Sequence, residues 1–281
     1  AIYDSWLDIR QQKTVHGPLI EGVNMEITEQ VFQNRFKERL TNKDRQIGIW
    51  SNLSHNITAE ILSYAGFDWV VFDMEHAPND INSLIAQLQA MKGSDTSLIV
   101  RPIWNDFVEI KRLLDIGFHN FIVPFVQNAD EAEQAVSAVR YPPKGRRGVS
   151  VGARGSSYGY TKDYWQKIDD HIGLVVQIET LEAVENLEEI CSVDGIDGIF
   201  VGPSDLAASM GHLADVKNPE VQKKMAQIAK ICRKIDAPAG TLGTGGPDGQ
   251  RYLDMGYIFV GMGSDSGLFK NATRELAQSF K

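Results

Sequence analysis

Eight short apolar runs recur along this chain, at 47–51, 69–73, 97–103, 120–126, 173–179, 198–203, 239–244 and 257–264. Each is rich in β-branched or aromatic residues, and each is continuous rather than alternating, as expected for strands covered on both faces of a parallel sheet. Between them lie stretches with helical spacing, such as Ile81, Leu84, Ile85 and Leu88, or Ile110, Leu113 and Leu114. Gly66, Gly93 and Gly117 follow such stretches, where a left-handed cap ends a helix. Strand–helix alternation admits a closed barrel or a doubly wound open sheet, and the count of eight favours an α/β (β/α)8 TIM barrel. A length of 281 residues suits one such domain, expected over 32–281 behind an N-terminal extension, 1–31.

Composition excludes several classes. The net charge is −9, and the only dense basic group is Lys144, Arg146 and Arg147, which argues against nucleic acid. No apolar stretch approaches the roughly 18 residues of a membrane span. The start, AIYDSWLDIRQQK, lacks the layout of a secretion signal, and Cys191 and Cys232 read as reduced core residues, so a cytoplasmic protein is expected.

In a barrel of this kind, reactive groups gather at the C-terminal ends of the strands. Asp73 ends the second run, with Glu75 and His76 just beyond, and Arg101 lies near the end of the third. Gln177 and Glu179 end the fifth run, and Ser204 and Asp205 follow the sixth. Glu179 and Asp205 suit a hard divalent cation. An oxygen-only set points to Mg²⁺ or Mn²⁺, with Co²⁺ admitted, rather than Zn²⁺. Asp205 also has the place of a helix N-cap. Arg101, the only basic residue in the eight runs, needs an anion: Asp73, Glu75 or a substrate oxyanion. His76 is the natural proton carrier. No Lys lies in any run, so Schiff-base chemistry is disfavoured. The Gly-rich stretches 240–246 and 261–267 admit a phosphate reading alongside simple turning. A long excursion, about 141–170, carries GARGSSYGYT and is expected to overhang the rim beside the fourth and fifth strands.

The segments QIGIWSNLS, AGFDWVVFDMEHAPNDI, IKRLLDIGFHNFIVPFV, VQIET, DGIFVGPSDLAASMGH and FVGMGSD, spread over 32–280, resemble the class II pyruvate-dependent aldolases of the HpcH/HpaI family. The resemblance implies reversible cleavage of a 2-keto-3-deoxy sugar acid to pyruvate and an aldehyde through a pyruvate enolate. It implies Glu179 and Asp205 as metal ligands and His76 as general acid/base, supported by Asp73 and Asp115. Arg101 would steady the enolate oxygen. Gln177, Ser204 and Asp205 would hold the pyruvate carboxylate, and Val149 and Leu242 would line the aldehyde end. It also implies a homo-oligomer, a trimer of dimers, with the last helix exchanged between subunits. Met74 and the glycine-rich 243–249 depart from the family pattern, the latter leaving the aldehyde open. For a sugar diacid, Arg154 is the candidate for the second carboxylate. Two alternatives remain: a CoA-ester lyase of the citrate lyase β-chain or malyl-CoA lyase type, and a non-catalytic barrel that senses a sugar acid.

Overall fold

The computed structural model describes residues 30–281, so the expected extension 1–31 lies outside it except for its last two residues. Eight parallel strands close into a barrel in sequence order. They are β1 (Gln46–Ser51), β2 (Trp69–Asp73), β3 (Ser97–Arg101), β4 (Asn120–Val123), β5 (Gly173–Ile178), β6 (Gly198–Val201), β7 (Ala239–Leu242) and β8 (Phe259–Ser264). All eight apolar runs contain strands; the first two are strands throughout, and the other six are shorter than their runs by one to three residues.

The helices are α1 (Arg35–Thr41), α2 (Asn56–Ser63), α3 (Ile81–Ala90), α4 (Phe107–Ile116), α5 (Ala129–Val139), α6 (Tyr164–Lys167), α7 (Leu181–Glu185), α8 (Leu187–Ser192), α9 (Pro203–Ser209), α10 (Pro219–Lys234), α11 (Gly246–Met255) and α12 (Asp265–Gln278). Their starts follow local chemistry. Asp80 and Ser83 form a reciprocal capping box at α3, Asp106 caps α4, and Asn128 caps α5. Gly117 ends α4 at φ 104°, and Gly66 and Gly93 are likewise left-handed.

Two cores result. Val70, Phe72, Val100, Phe121 and Ile199 pack outward against the helices. Trp50, Trp69, Val71, Ile99, Phe200 and Phe259 fill the barrel interior. Gly48 is required there, since a Cβ on it would stand 2.0 Å from the Trp69 ring. Helix α1, not anticipated from the runs, closes the N-terminal end. Its buried Phe36 and Leu40 join the inner core, with Phe36 edge-on to Phe259 at 5.7 Å.

The 141–170 excursion does not overhang the rim of its own barrel. It joins the end of α5 to the start of β5, and helix-to-strand connections in this fold lie at the face opposite the site. It carries a 3-10 turn, Arg154–Gly159, and the short α6. Arg154 donates from Nη1 to the Ile116 carbonyl at 2.7 Å, at the far end of α4. Beneath this cover, burial first, then Arg147 and His171, push His119 down to about 4. The stability that neutral His119 contributes is therefore present above pH 6.5 and is lost as pH falls toward 4. Urea titrations are expected to show wild type losing about 2 kcal/mol relative to His119→Gln between pH 7.5 and 4.5. A difference that does not change with pH would contradict this.

Candidate active site

Asp73 and Arg101 stand opposite each other in the β2–β3 register, at the C-terminal edge of the barrel. Arg101 Nε donates to Asp73 Oδ1 at 2.8 Å and Nη2 to Oδ2 at 2.7 Å, a bidentate pair that is almost fully buried. Arg101 Nη1 lies 2.9 Å from Glu75 Oε2. Both alternative partners named from sequence are thus engaged together. Two of the five guanidinium hydrogens are spent on Asp73, and the Glu75 contact is an ion pair without hydrogen-bond geometry, which leaves three hydrogens for other acceptors. The Trp50 ring centroid lies 5.7 Å from the guanidinium carbon, beneath it in the barrel.

Asp73 also shapes the turn that carries His76. Its Oδ1 accepts from Glu75 N at 3.0 Å and His76 N at 3.4 Å, and its carbonyl accepts from Asn79 Nδ2 at 2.7 Å. The His76 side chain is exposed, with Nε2 3.9 Å from Glu75 Oε1. Burial raises Glu75, although Arg101 and His76 oppose the shift.

Across the mouth, Glu179 is 2% exposed. Its Oε1 accepts from Phe125 N at 2.8 Å, and its Oε2 accepts from Gln177 Nε2. Phe125 holds a left-handed backbone, φ 55°, as it presents this amide. Burial first, then Asp205 and Glu75, push Glu179 up to about 7. Gly202 is the other constraint. A Cβ there would lie 2.5 Å from Glu179 Oε2 and 2.8 Å from Gln177 Nε2. Asp205 sits in the first turn of α9 but does not cap it. The N-cap is Gly202, with no side-chain cap bond, so the sequence-level capping reading of Asp205 is not realised.

These carboxylates fit a divalent cation. Glu179 is raised first by burial and then by the negative charge of Asp205 and Glu75, which a cation would offset, and every donor is oxygen. Among the described residues no group of three or more His, Cys, Asp or Glu could hold a metal. The protein's share would therefore be Glu179 and Asp205. Ser204 is exposed beside Asp205, and Leu242 is half-buried at the end of β7.

Three of the residues singled out earlier are not at this mouth. Asp115 lies near the C-terminal end of α4, and a ten-residue helix is about 15 Å long. Its charged neighbours are Arg147 and Lys111 rather than His76. Val149 is exposed within the excursion, and Arg154 is tied to the Ile116 carbonyl. Conversely, the backbone of Phe125 and the bare Gly202 belong to the site. Neither carried a sequence signal, whereas Glu75, two residues past the end of β2, was already marked by its place.

The HpcH/HpaI aldolase/citrate lyase profile matches residues 46–272. The chain belongs to that family. It is 49% identical over 255 residues to the 5-keto-4-deoxy-D-glucarate aldolase of Enterobacter sp. (strain 638), covering 91% of this chain and 100% of the relative. The crystal structure of an HpcH/HpaI aldolase/citrate lyase family protein from Burkholderia cenocepacia J2315 superposes with a TM-score of 0.85 at 32% identity, over 88% of this chain and 99% of that one. A citrate lyase β subunit from M. tuberculosis, complexed with oxaloacetate and magnesium, shares the fold at a TM-score of 0.53 and 14% identity, over 80% of this chain and 93% of that one. The rim of this family member thus combines a buried arginine–carboxylate pair with an acidic pair, Glu179 and Asp205.

Proposed function

We propose that this chain is a 5-keto-4-deoxy-D-glucarate aldolase that splits its substrate into pyruvate and tartronate semialdehyde. The observation that carries the reading is that the Arg101 ion-pair cluster and the Glu179/Asp205 acids act on one another across one rim. The similarity to the Enterobacter aldolase supports the substrate. A divalent cation held by Glu179 and Asp205, Mg²⁺ or Mn²⁺, would supply Lewis acidity to the keto oxygen.

The chain's own groups do the rest. His76, acting through water, removes the proton of the hydroxyl next to the scissile bond. That oxygen becomes the aldehyde carbonyl as the carbon–carbon bond breaks, and the bonding pair passes into the enolate of pyruvate. Arg101 hydrogens not used by Asp73 steady the enolate oxygen, and the returning proton turns the methylene into a methyl group. Gln177 keeps one amide hydrogen beyond its bond to Glu179, and with Ser204 it orients the pyruvate carboxylate. The Arg101→Lys variant keeps the charge but loses the fork that meets Asp73 and substrate together. Its kcat is expected to fall about 10²–10³-fold with the fold retained. A kcat near wild type would make the arginine structural.

The reading extends to assembly. Beyond Asp265, α12 lies exposed, with Leu268, Phe269 and Leu276 uncovered, and Phe280 follows just past its end. Ile103, Trp104, Phe107 and Val108 form a second exposed apolar group at the start of α4. Both support a homo-oligomer, a trimer of dimers, in which α12 packs on a neighbour. Such a neighbour would also account for Asp115, Val149 and Arg154, which share the outer flank of α4 and the excursion. Their roles at the mouth require the flank of one copy to reach the rim of another. Cys191 and Cys232 are free thiols, both pushed up to about 12 mainly by burial, which supports a reducing, cytoplasmic setting. No described helix is long and apolar enough to cross a membrane. The test is a lactate-dehydrogenase-coupled assay with 5-keto-4-deoxy-D-glucarate. Mg²⁺-dependent pyruvate release is expected; no pyruvate from the sugar acid, with acetyl-CoA and glyoxylate formed from malyl-CoA instead, would select the CoA-ester lyase alternative.

A further inference from the structure

Among the described residues, the Asn52 side chain on the rim makes no hydrogen bond although its oxygen is buried. Asn52 follows the last residue of β1, and its backbone is fixed: its N–H donates to Asp265 Oδ1 at 2.8 Å, and the next amide, Leu53 N, donates to Asp265 Oδ2 at 3.2 Å. Asp265 is itself buried. The Asn52 side chain has no such role, for its Oδ1 is buried and has no hydrogen-bond partner among the described residues. A buried amide oxygen left unmatched is costly, and native structures keep one where a ligand, an ion or a water completes it.

The register says where this group stands. Strand β1 pairs with β2 as Trp50↔Val71 and Ser51↔Phe72, so one further step sets Asn52 beside Asp73. Asp73 in turn pairs with Arg101. Alternation along β1 gives Asn52 the face of Trp50, which lies inside the barrel under Arg101. Asn52, Asp73 and Arg101 therefore form one rung at the mouth, and only Asn52 is without a partner in it.

We infer that Asn52 is a substrate-binding residue that recognises the α-hydroxyl of the aldehyde half, selecting α-hydroxyaldehydes over their deoxy analogues. This rests on the aldolase reading. The keto and carboxylate oxygens of pyruvate only accept hydrogen bonds and so cannot satisfy an amide oxygen. A hydroxyl both donates and accepts, so it matches the amide whichever way the amide is turned. The hydroxyls of the substrate lie on the aldehyde side of the scissile bond.

The test is aldol addition of pyruvate, with Mg²⁺, to glycolaldehyde and to acetaldehyde, which lacks the α-hydroxyl. In Asn52→Leu, kcat/KM for glycolaldehyde is expected to fall about 10- to 100-fold, and for acetaldehyde no more than about threefold. Asn52→Ser, which keeps a short hydrogen-bonding group, is expected to fall between wild type and Asn52→Leu, and it reads the same ratio should the leucine variant fold poorly. An equal loss on both aldehydes in a folded variant, or no loss on either, overturns the assignment. Wild-type enzyme that neither adds pyruvate to an aldehyde nor exchanges its methyl protons with solvent overturns the aldolase reading itself, and the role of Asn52 with it.

Discussion

Replacing Glu179 with glutamine is expected to lower turnover about a thousandfold or more while making the metal-free protein more stable at pH 8. The two effects share a cause. Burial, Asp205 and Glu75 raise the Glu179 carboxyl from its ordinary value near 4.5 to about 7. The folded state therefore holds its proton more tightly than the unfolded chain does. The stability that this contributes is complete below pH 4.5 and is lost as pH rises through 7. At pH 8 the folded protein carries a desolvated charge, and a shift of this size corresponds to about 3 kcal/mol. Glutamine removes the charge and still accepts from Phe125 N–H, so the backbone at 125 keeps its anchor. Urea midpoints are expected to rise by an amount equivalent to about 1–3 kcal/mol at pH 8 and to differ little near pH 4.5. A variant that is less stable at pH 8, or that keeps activity within tenfold of wild type, would contradict the role given to Glu179.

The second large effect concerns the assembly. His76→Ala and Asp115→Ala are each expected to lose about 10²–10⁴-fold in kcat, yet a reassembled mixture of the two is expected to regain activity. His76 lies past the C-terminal end of β2, and Asp115 lies near the opposite end of α4. Burial raises the Asp115 carboxyl, while Arg147 and Lys111 moderate it. If each site takes His76 from one copy and Asp115 from the next, random reassembly leaves both residues intact in about a quarter of the sites. The measurement is kcat of the mixture after dissociation and reassembly, against each variant treated alone. A mixture no more active than its components would confine each site to one chain and leave Asp115 without a part in it.

Much of the fold was legible because strands covered on both faces leave continuous apolar runs, and their shortness and β-branched or aromatic content separate them from buried helix segments. The rim was legible for a related reason: Asp73, Arg101 and Glu179 interrupt or end those runs, Asp205 follows one, and the fold dictates which strand end faces the site. The excursion was misread because its length and glycines suggest a functional loop, whereas its position after a helix sends it to the other face. Arg154 was named from that placement, whereas Val149 was implied by the resemblance; neither lies at the mouth of its own barrel. The closure of the barrel by α1 was hidden because Phe36 and Leu40, four residues apart, give too short a pattern to distinguish from any surface helix. Phe125 and Gly202 contribute a backbone amide and an empty Cβ position to Glu179, and neither leaves a side-chain signal. Asn52 was likewise silent, since only the register of β1 against β2 sets it beside Asp73.

The central claim is that this rim generates the enolate of pyruvate with the help of a divalent cation. Exchange of the pyruvate methyl protons into D₂O, followed by proton NMR without any aldehyde present, isolates that step. Rapid exchange is expected with Mg²⁺ or Mn²⁺, and it should fall to the uncatalysed rate after chelation and in Glu179→Gln. Exchange that persists undiminished after exhaustive chelation, or that is absent from metal-supplied enzyme while the sugar acid is still cleaved, would contradict the account.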